Sequence, residues 1–189
     1  MHSHLQVVVA SFGAPASRGL GLWLSHHGLD WRYGSSEYGV DTIHNQNITR
    51  FLREDVPRGK TDLLSIDADM VPLPETDAIL SEPGNLLYCG HVGRYGSRGH
   101  KGDGDFSIGC YRASADLLEL MGPPWVQTIV AGGVRVHCEC NFFRHRAAQE
   151  GAVARQAGII GHEQRCILIP TNTDLGWAVA WPTDLGEID

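Results

Sequence analysis

The chain has 189 residues, and its 22 acidic and 15 basic side chains give a formal net charge of −7. A hydrophobic content of 42% with 20% charged residues excludes a disordered chain, and the length fits a single domain over residues 1–189 with a sizeable core. The acidic balance disfavours general nucleic-acid binding by a basic surface. We therefore expect a globular, mildly acidic protein.

Two further features bear on where the protein works. The longest apolar stretches are far shorter than the ~18–20 residues that span a bilayer, and the N-terminus lacks a basic segment followed by an apolar one. The five cysteines are an odd number without the spacing of a disulfide framework: Cys89, Cys110, Cys138, Cys140 and Cys166. These features predict a soluble, cytoplasmic protein without a membrane span.

Strands and helices alternate along the first third of the chain. Residues 5–10 are a short apolar run typical of a buried strand, and residues 16–27 carry clustered leucines before a glycine, which predicts a helix. A second strand at 29–33 and a second helix at 43–54 follow. The clearest strand is the apolar run at 62–66.

The alternation continues after this strand and indicates the fold class. The later segments are a helix at 75–80, a strand at 85–92, a glycine-rich loop at 94–104, a strand at 105–111, helices at 113–121 and 142–149, a short strand or turn at 159–162 and an irregular arm at 167–189. Such alternation predicts an α/β fold with a mostly parallel central sheet flanked by helices. The core is expected at about residues 5–165.

Two aspartates, Asp67 and Asp69, follow the strand at 62–66 directly. Ligands bind at the carboxyl ends of strands in open α/β sheets, and alternate residues of a strand point to the same face. Two carboxylates held this close repel each other, and a hard divalent cation such as Mg²⁺ or Mn²⁺ relieves the repulsion. The pair therefore indicates a metal site, and a pair of solvated turn carboxylates is the alternative.

Several segments resemble, in the same order, the GT-A-fold glycosyltransferases, in particular their short bacterial and phage members. They are Ser65-Ile-Asp-Ala-Asp-Met-Val-Pro-Leu-Pro, which resembles the DxD segment, the pair His44-Asn45 with Phe51-Leu52, the glycine-rich segment 102–112, Pro123-Pro124-Trp125, the segment 138–151 and Gly161-His162. His44 stands where the family usually has arginine. The resemblance spans about residues 5–165 and implies a Rossmann-type three-layer sandwich.

For the donor, the resemblance implies a nucleoside-diphosphate sugar, most plausibly UDP-linked. Asp67 and Asp69 would hold its diphosphate through Mn²⁺ or Mg²⁺, with His162 as the third protein ligand of the metal. A neutral imidazole can join two carboxylates on such an ion. Without the family order, a single histidine beside glycine is more often an ordinary surface or core residue.

The nucleotide is expected at the ends of the first two strands. Ser11 and Glu37 lie where the base should sit, because a hydroxyl and a carboxylate can meet the carbonyls and the imide N–H of a pyrimidine. Asn45 is carried over to the donor site from the resemblance of its segment. Ser11 and Glu37 also fit ordinary turn residues.

The catalytic base implied by the resemblance is Glu139, which would deprotonate the acceptor hydroxyl in an inverting transfer. The family usually has aspartate at this position and an acidic residue before it, where this chain has Cys138. Glu139 also suits the first turn of a helix, where a carboxylate favours the helix dipole. On the acceptor side, Asp105 belongs to the glycine-rich segment, and Trp125 would either stack on a sugar ring or fill the core.

Two other functions are compatible with parts of the pattern. Phosphatases of the haloacid dehalogenase type also carry Asp-x-Asp after a strand, but near the N-terminus and with a downstream lysine, and Lys101 is the only lysine after the motif here. A degenerate fold that binds nucleotide or sugar without turnover is the second alternative. The acceptor class stays open between a glycan, a protein and a modified DNA base, a homo-oligomer is possible, and the resemblance points to a bacterial or phage source.

Overall fold

The computed structural model describes residues 2–11, 15–35, 39–91, 106–131, 134–162, 167–170 and 177–180. The strands are β1 (Leu5–Ser11), β2 (Trp31–Ser35), β3 (Asp62–Asp67), β4 (Met70–Pro72), β5 (Leu86–His91), β6 (Cys110–Ser114), β7 (Ile129–Ala131), β8 (Val134–His137), β9 (Arg155–His162), β10 (Ile167–Pro170) and β11 (Trp177–Ala180). The helices are α1 (Arg18–His26), α2 (Val40–Arg50), α3 (Ala78–Ser81), α4 (Ala115–Met121) and α5 (Glu139–Gln149). Within these ranges, no helix has the length and apolar character needed to cross a bilayer.

Seven of the strands form one sheet in the order β2-β1-β3-β6-β5-β9-β4. Strand β1 pairs in parallel with β2 and β3, and β5 pairs in parallel with β9. Strand β6 lies antiparallel between β3 and β5, and β4 is antiparallel to β9. Five of these seven strands therefore point the same way, which confirms the mostly parallel central sheet. Strands β7 and β8 form a separate hairpin, and β10 and β11 form a separate antiparallel ribbon.

Side-chain caps set the first residue of two helices. Ser17 accepts a hydrogen bond from the backbone N–H of Leu20 at 3.0 Å, which starts α1. Ser114 accepts from the N–H of Leu117 at 3.3 Å, so α4 begins at Ala115, two residues later than the sequence predicted. These caps satisfy N–H groups that have no partner within the helix.

Helices cover both faces of the sheet. Side chains alternate along a strand, so each central strand contributes to both hydrophobic clusters. On one face α1 and α3 cover Val7, Val9, Leu64 and Ile66. On the other face α2, α4 and α5 cover a cluster that includes Val8, Leu63, Tyr111, Ala113 and Phe143. The arrangement is the three-layer α/β sandwich that the sequence predicted.

Several predicted bounds were wrong. The strand expected at 105–111 begins only at Cys110, and residues 70–72, for which the sequence predicted no helix or strand, form β4. Pro72 is tolerated in β4 because this strand lies at the edge of the sheet, where its missing N–H breaks no ladder. The helix expected at 43–54 is regular only to Arg50, and a wider helical turn follows at Phe51–Asp55. The arm at 167–189 was expected to be irregular but contains β10 and β11.

Candidate active site

The predicted DxD turn lies at the carboxyl end of the central parallel strands. Ala10 of β1 is the register partner of Asp67 of β3. The backbone N–H of Asp67 donates to the carbonyl of Gly109 at 2.8 Å, and that of Ala68 donates to the carbonyl of Ala10, also at 2.8 Å. A side chain on Gly109 would come within 2.8 Å of the Met70 side chain, so glycine keeps this approach open. The turn is therefore fixed by backbone contacts from two neighbouring segments.

Strand β4 leaves the turn and brings the end of β9 beside it. Met70, the residue after Asp69, is the register partner of His162. The Ser17 hydroxyl donates to the Met70 carbonyl at 2.6 Å, so the start of α1 holds this strand in place. The register therefore puts the backbone of His162 next to the DxD turn, as a third ligand requires. The direction of its side chain lies outside the described part of the structure.

Among the described residues, no cationic side chain lowers the pKa of the Asp67 carboxyl. Burial, and to a smaller extent the nearby carboxylates of Asp69 and Glu139, together raise the pKa of its carboxyl to about 8. Its Oδ1 atom is buried and accepts no hydrogen bond from the described residues, although 23% of the side chain is exposed. At pH 7 the carboxyl is therefore mostly protonated unless a cation binds beside it.

His44 is the nearest basic side chain to this carboxyl, but it supplies no charge. Its Nε2 lies 3.7 Å from Oδ1 of Asp67, and 1% of its side chain is exposed. Burial lowers the pKa of His44 to about 4, and the Asp41 carboxylate only partly opposes the shift. The imidazole is neutral at pH 7. In this chain, the position where the family usually has arginine therefore brings no positive charge to Asp67.

The same face of β3 and β6 holds other buried polar atoms without a hydrogen bond of normal geometry. They are Nδ1 of His44, Oγ of Ser65 and the hydroxyl of Tyr111. Ser65 and Tyr111 are direct partners across the antiparallel pair of β3 and β6. Buried polar groups without partners are uncommon, because each one costs about 1–3 kcal/mol. Asp67 is thus surrounded by several buried polar groups whose hydrogen-bonding capacity is not filled by the described residues.

Glu139 is the first residue of α5 and lies close enough to Asp67 to affect its pKa. Cys138 caps the helix, because its sulfur accepts from the N–H of Asn141 at 3.4 Å. The hydroxyl of Thr128 lies 3.3 Å from Oε2 of Glu139 and 2.9 Å from Oδ1 of Asp41. The carboxylate predicted as the base is therefore on the same side of the sheet as the DxD turn.

Asp41 and Thr128 were not found by sequence reasoning. Thr128 binds Asp41 twice, through its hydroxyl at 2.9 Å and through its N–H at 2.6 Å, across 87 residues of sequence. The only local signal was an acidic residue in the first turn of a helix, which is common for reasons of helix dipole alone. No pattern along the chain links a residue of α2 to a loop before α5.

Asn45 and Trp125 belong to the framework beside Glu139. The Asn45 amide donates to the carbonyls of Asp41 and Val126, each at 2.7 Å, and its oxygen accepts from the N–H groups of Trp125 and Val126. These four contacts use the hydrogen-bonding capacity of its side chain. Trp125 is 5% exposed, and its indole N–H donates to the carbonyl of Leu118 at 2.6 Å. Its burial favours the core-filling alternative over stacking on a sugar.

The remaining predicted residues are placed unevenly. Ser11 ends β1 and is 3% exposed, at the carboxyl edge of the sheet as expected. Glu37 and Asp105 lie outside the described residues. Of the two residues predicted to contact the nucleotide base, the structure describes Ser11. Of the two predicted on the acceptor side, it describes Trp125.

The residues of the DxD turn fit a divalent cation in one respect. The unsatisfied Oδ1 of Asp67 and the like charge of Asp69 form a donor set that a hard cation offsets. No three His, Cys, Asp or Glu side chains of the described residues are close enough to hold one ion together. Two carboxylates plus phosphate oxygens of a substrate are nevertheless a usual environment for Mg²⁺. Cys138 and Cys140 are buried and form no disulfide with another described cysteine.

The fold can be compared with solved structures. The crystal structure of A197 from STIV superposes with a TM-score of 0.61 at 14% identity, covering 86% of this chain and 88% of that one. A glycosyltransferase involved in the glycosylation of the major capsid of PBCV-1 has a TM-score of 0.40 at 17% identity, covering 64% of this chain and 68% of that one. No family model and no curated protein match the chain. The chain thus shares its α/β fold with A197 from STIV, and at 14% identity the likeness concerns the fold alone.

Proposed function

We propose that the protein is a metal-dependent glycosyltransferase that transfers a sugar from a nucleoside-diphosphate sugar, UDP-linked, to an acceptor hydroxyl with inversion. The observation that carries this proposal is the uncompensated carboxylate of Asp67, whose pKa is raised by burial, Asp69 and Glu139. It lies at the carboxyl edge of a GT-A-like sheet, where such folds bind their ligands. Asp67 and Asp69 together with phosphate oxygens of a substrate are a usual environment for a hard divalent cation.

The donor end of the site consists of residues on β1, β3 and β9. Asp67, Asp69 and His162 are the proposed ligands of Mn²⁺ or Mg²⁺, and Ser11 and Glu37 are the proposed contacts of the nucleotide base. When bound by these residues, such an ion would supply positive charge where negative charge develops on the departing diphosphate. The neutral state of His44 supports this division of roles, because His44 brings no competing cation to the pocket.

The acceptor end contains the proposed base. Glu139 takes the proton of the acceptor hydroxyl while the hydroxyl oxygen bonds to the anomeric carbon and the bond from that carbon to the diphosphate breaks. A single displacement from the opposite side inverts the configuration at that carbon. Asp105 is the proposed acceptor contact, and Trp125 supports that side by packing in the core.

Thermal unfolding with nucleotide sugars, with and without Mn²⁺, tests the proposal. We expect UDP-sugars to raise the Tm of the wild type only when Mn²⁺ is present, because the diphosphate binds through the ion. Asp69→Ala should remove this rise, whereas Asp30→Ala, a change of an exposed aspartate, should keep it. Equal, Mn²⁺-dependent stabilisation of wild type and Asp69→Ala would show that the metal-bridged donor site is wrong.

A further inference from the structure

The segment at residues 125–128, directly before β7, is held from one side by α2. Asp41 and Asn45 are four residues apart on this helix and therefore lie on the same face. Asn45 accepts from the N–H groups of Trp125 and Val126 at 2.9 Å and 3.1 Å. Asp41 accepts from the N–H and the hydroxyl of Thr128. Two side chains of one helix thus fix residues 125–128 by their backbone.

Thr128 also contacts Glu139, the proposed base. Its hydroxyl is 2.9 Å from Asp41 and 3.3 Å from Glu139, but a hydroxyl has only one proton to donate. The shorter contact gives Asp41 the larger share of this proton. The hydroxyl oxygen also has two lone pairs, so it can accept a proton from a neighbour while it donates to Asp41.

We propose that Asp41, Asn45 and Thr128 are positioning residues for Glu139, an inference that rests on the proposed function. Before proton transfer, the Thr128 hydroxyl is shared between two carboxylates and holds Glu139 in one orientation. After Glu139 has taken the proton of the acceptor, its new O–H donates to the Thr128 oxygen, while Thr128 donates fully to Asp41. Thr128, fixed by Asp41, therefore keeps a hydrogen bond to Glu139 in both protonation states of the base, without a movement of the backbone.

Several ionisable groups face Glu139 and have to be considered in any test. Asp67 acts on it from the end of β3, Asp41 acts through Thr128, and the Cys140 thiol lies on its own helix. Asp67 and Asp41 are like charges to the Glu139 carboxylate, and the Thr128 hydroxyl is a hydrogen-bond donor within reach of it. Substitutions at Thr128 and Asp41 should therefore change the titration of Glu139 in opposite directions.

Carbon-13 NMR of glutamate-labelled protein measures this titration without substrate. The Glu139 carboxyl signal is assigned as the one that disappears in Glu139→Gln. Thr128→Val removes a donor to the carboxylate and should shift the midpoint upward by about half a pH unit or more, and Thr128→Ser should restore it. Asp41→Asn removes a negative charge and frees the Thr128 proton, so the midpoint should shift downward. Shifts in the same direction, or none in folded variants, would overturn the inference.

A transfer assay separates this inference from the proposed function. If Glu139→Gln abolishes transfer but Thr128→Val leaves both the Glu139 midpoint and the pH profile of kcat unchanged, the base stands and the positioning role fails. If the midpoints shift as expected but no nucleotide sugar is turned over, the positioning network stands and the proposed function fails. With both correct, Thr128→Val should shift the pH profile of kcat and leave the KM of the donor within about twofold.

Discussion

Strand β3 begins with Asp62 and ends with Asp67, and the two carboxylates have neighbours of different charge. Asp62 lies 3.7 Å from Nε of Arg112 and accepts from the Thr61 hydroxyl at 2.7 Å. Asp67 lies at the same distance, 3.7 Å, from Nε2 of His44. The side chains are similarly covered, at 16% and 23% exposure. The difference is therefore the charge of the partner, since the guanidinium is always protonated and the buried imidazole is neutral.

This comparison separates a carboxylate with a cationic neighbour from one for which the described residues provide none. At the start of β3 the chain provides its own cation, so Asp62 needs nothing further from solvent or ligand. At the end of β3 the described residues provide none, and the pKa of Asp67 rises to about 8. A strongly raised pKa of a carboxyl with a neighbouring charged group is more common at functional sites than elsewhere. The chain accepts an unfavourable carboxylate where a bound cation would make it favourable.

The largest change in stability is expected when the cationic neighbour of Asp62, at the start of β3, is removed. Arg112 is 5% exposed and donates to the carbonyls of Ile79 and Glu82. Arg112→Met keeps most of the volume but leaves these carbonyls without their donor and Asp62 without its cationic neighbour. We expect a loss of about 3 kcal/mol in the free energy of unfolding, measured by urea denaturation.

Arg155→Met is the matched control for this change. Arg155 also approaches Glu82, at 3.4 Å from its carboxylate, but its side chain is 52% exposed. Water can replace its contacts, so its loss should cost under about 1 kcal/mol. Similar losses for both variants would contradict the assignment of Arg112 as the cation at the start of β3.

The second-largest effect is a gain in stability, expected when Asp67 is replaced. Its folded-state pKa of about 8 lies above its ordinary value of 3.8, so the protonated form is the one that folding favours. Its contribution to stability is fully present below pH 4 and is lost as the pH rises through 8. Asp67→Asn removes this loss, so the variant should be more stable than wild type by on the order of 2 kcal/mol at pH 9 and nearly equal at pH 4.

Urea denaturation in EDTA at pH 4, 7 and 9 measures the difference. Asp62→Asn is the control at the other end of the strand, and it should destabilise because it leaves Arg112 without its carboxylate. Addition of Mn²⁺ at pH 9 should reduce the advantage of Asp67→Asn, since only wild type can bind the ion through this side chain. If wild type were more stable than Asp67→Asn in EDTA at pH 9, the ionised Asp67 carboxylate would be favourable without a cation, and the prediction would be wrong.

How much of the site could be predicted depends on whether its signal is local. Asp67 and Asp69 follow an uninterrupted apolar strand, and burial of that strand fixes where they emerge. Local patterns also gave the alternation of strands and helices and the parallel core of the sheet. By contrast, Asn45 was assigned to the donor, whereas its four hydrogen bonds go to backbone groups as far as 81 residues away.

The fold was harder to predict where sheet position overrides local propensity. Strand β4 ends in Pro72, which argues against a strand anywhere except at an edge, and only the finished sheet shows that β4 is one. Strand β6 runs antiparallel in a mostly parallel sheet, and nothing in Cys110–Ser114 specifies its direction. In both cases the deciding contacts come from strands far away in sequence.

The smallest effect tests whether the unsatisfied region extends beyond Asp67. Tyr111 is fully buried, and burial raises the pKa of its hydroxyl well above the ordinary value, which the Ser65 hydroxyl only partly opposes. Tyr111→Phe keeps the ring packed against Phe143, at 5.0 Å between centroids, and removes a hydroxyl without a hydrogen bond of normal geometry. We expect a change within about 0.5 kcal/mol in urea denaturation.

Ser17→Ala is the matched comparison, because Ser17 is equally a buried hydroxyl but donates to Met70 and accepts from Leu20. Its loss should cost about 1–2 kcal/mol. If Tyr111→Phe cost as much as Ser17→Ala, the Tyr111 hydroxyl would be well hydrogen-bonded in solution, and the contrast between the two ends of β3 would reduce to the single carboxylate of Asp67. A near-zero cost extends the contrast to the surroundings of Asp67, where buried polar groups are then left for a ligand to satisfy.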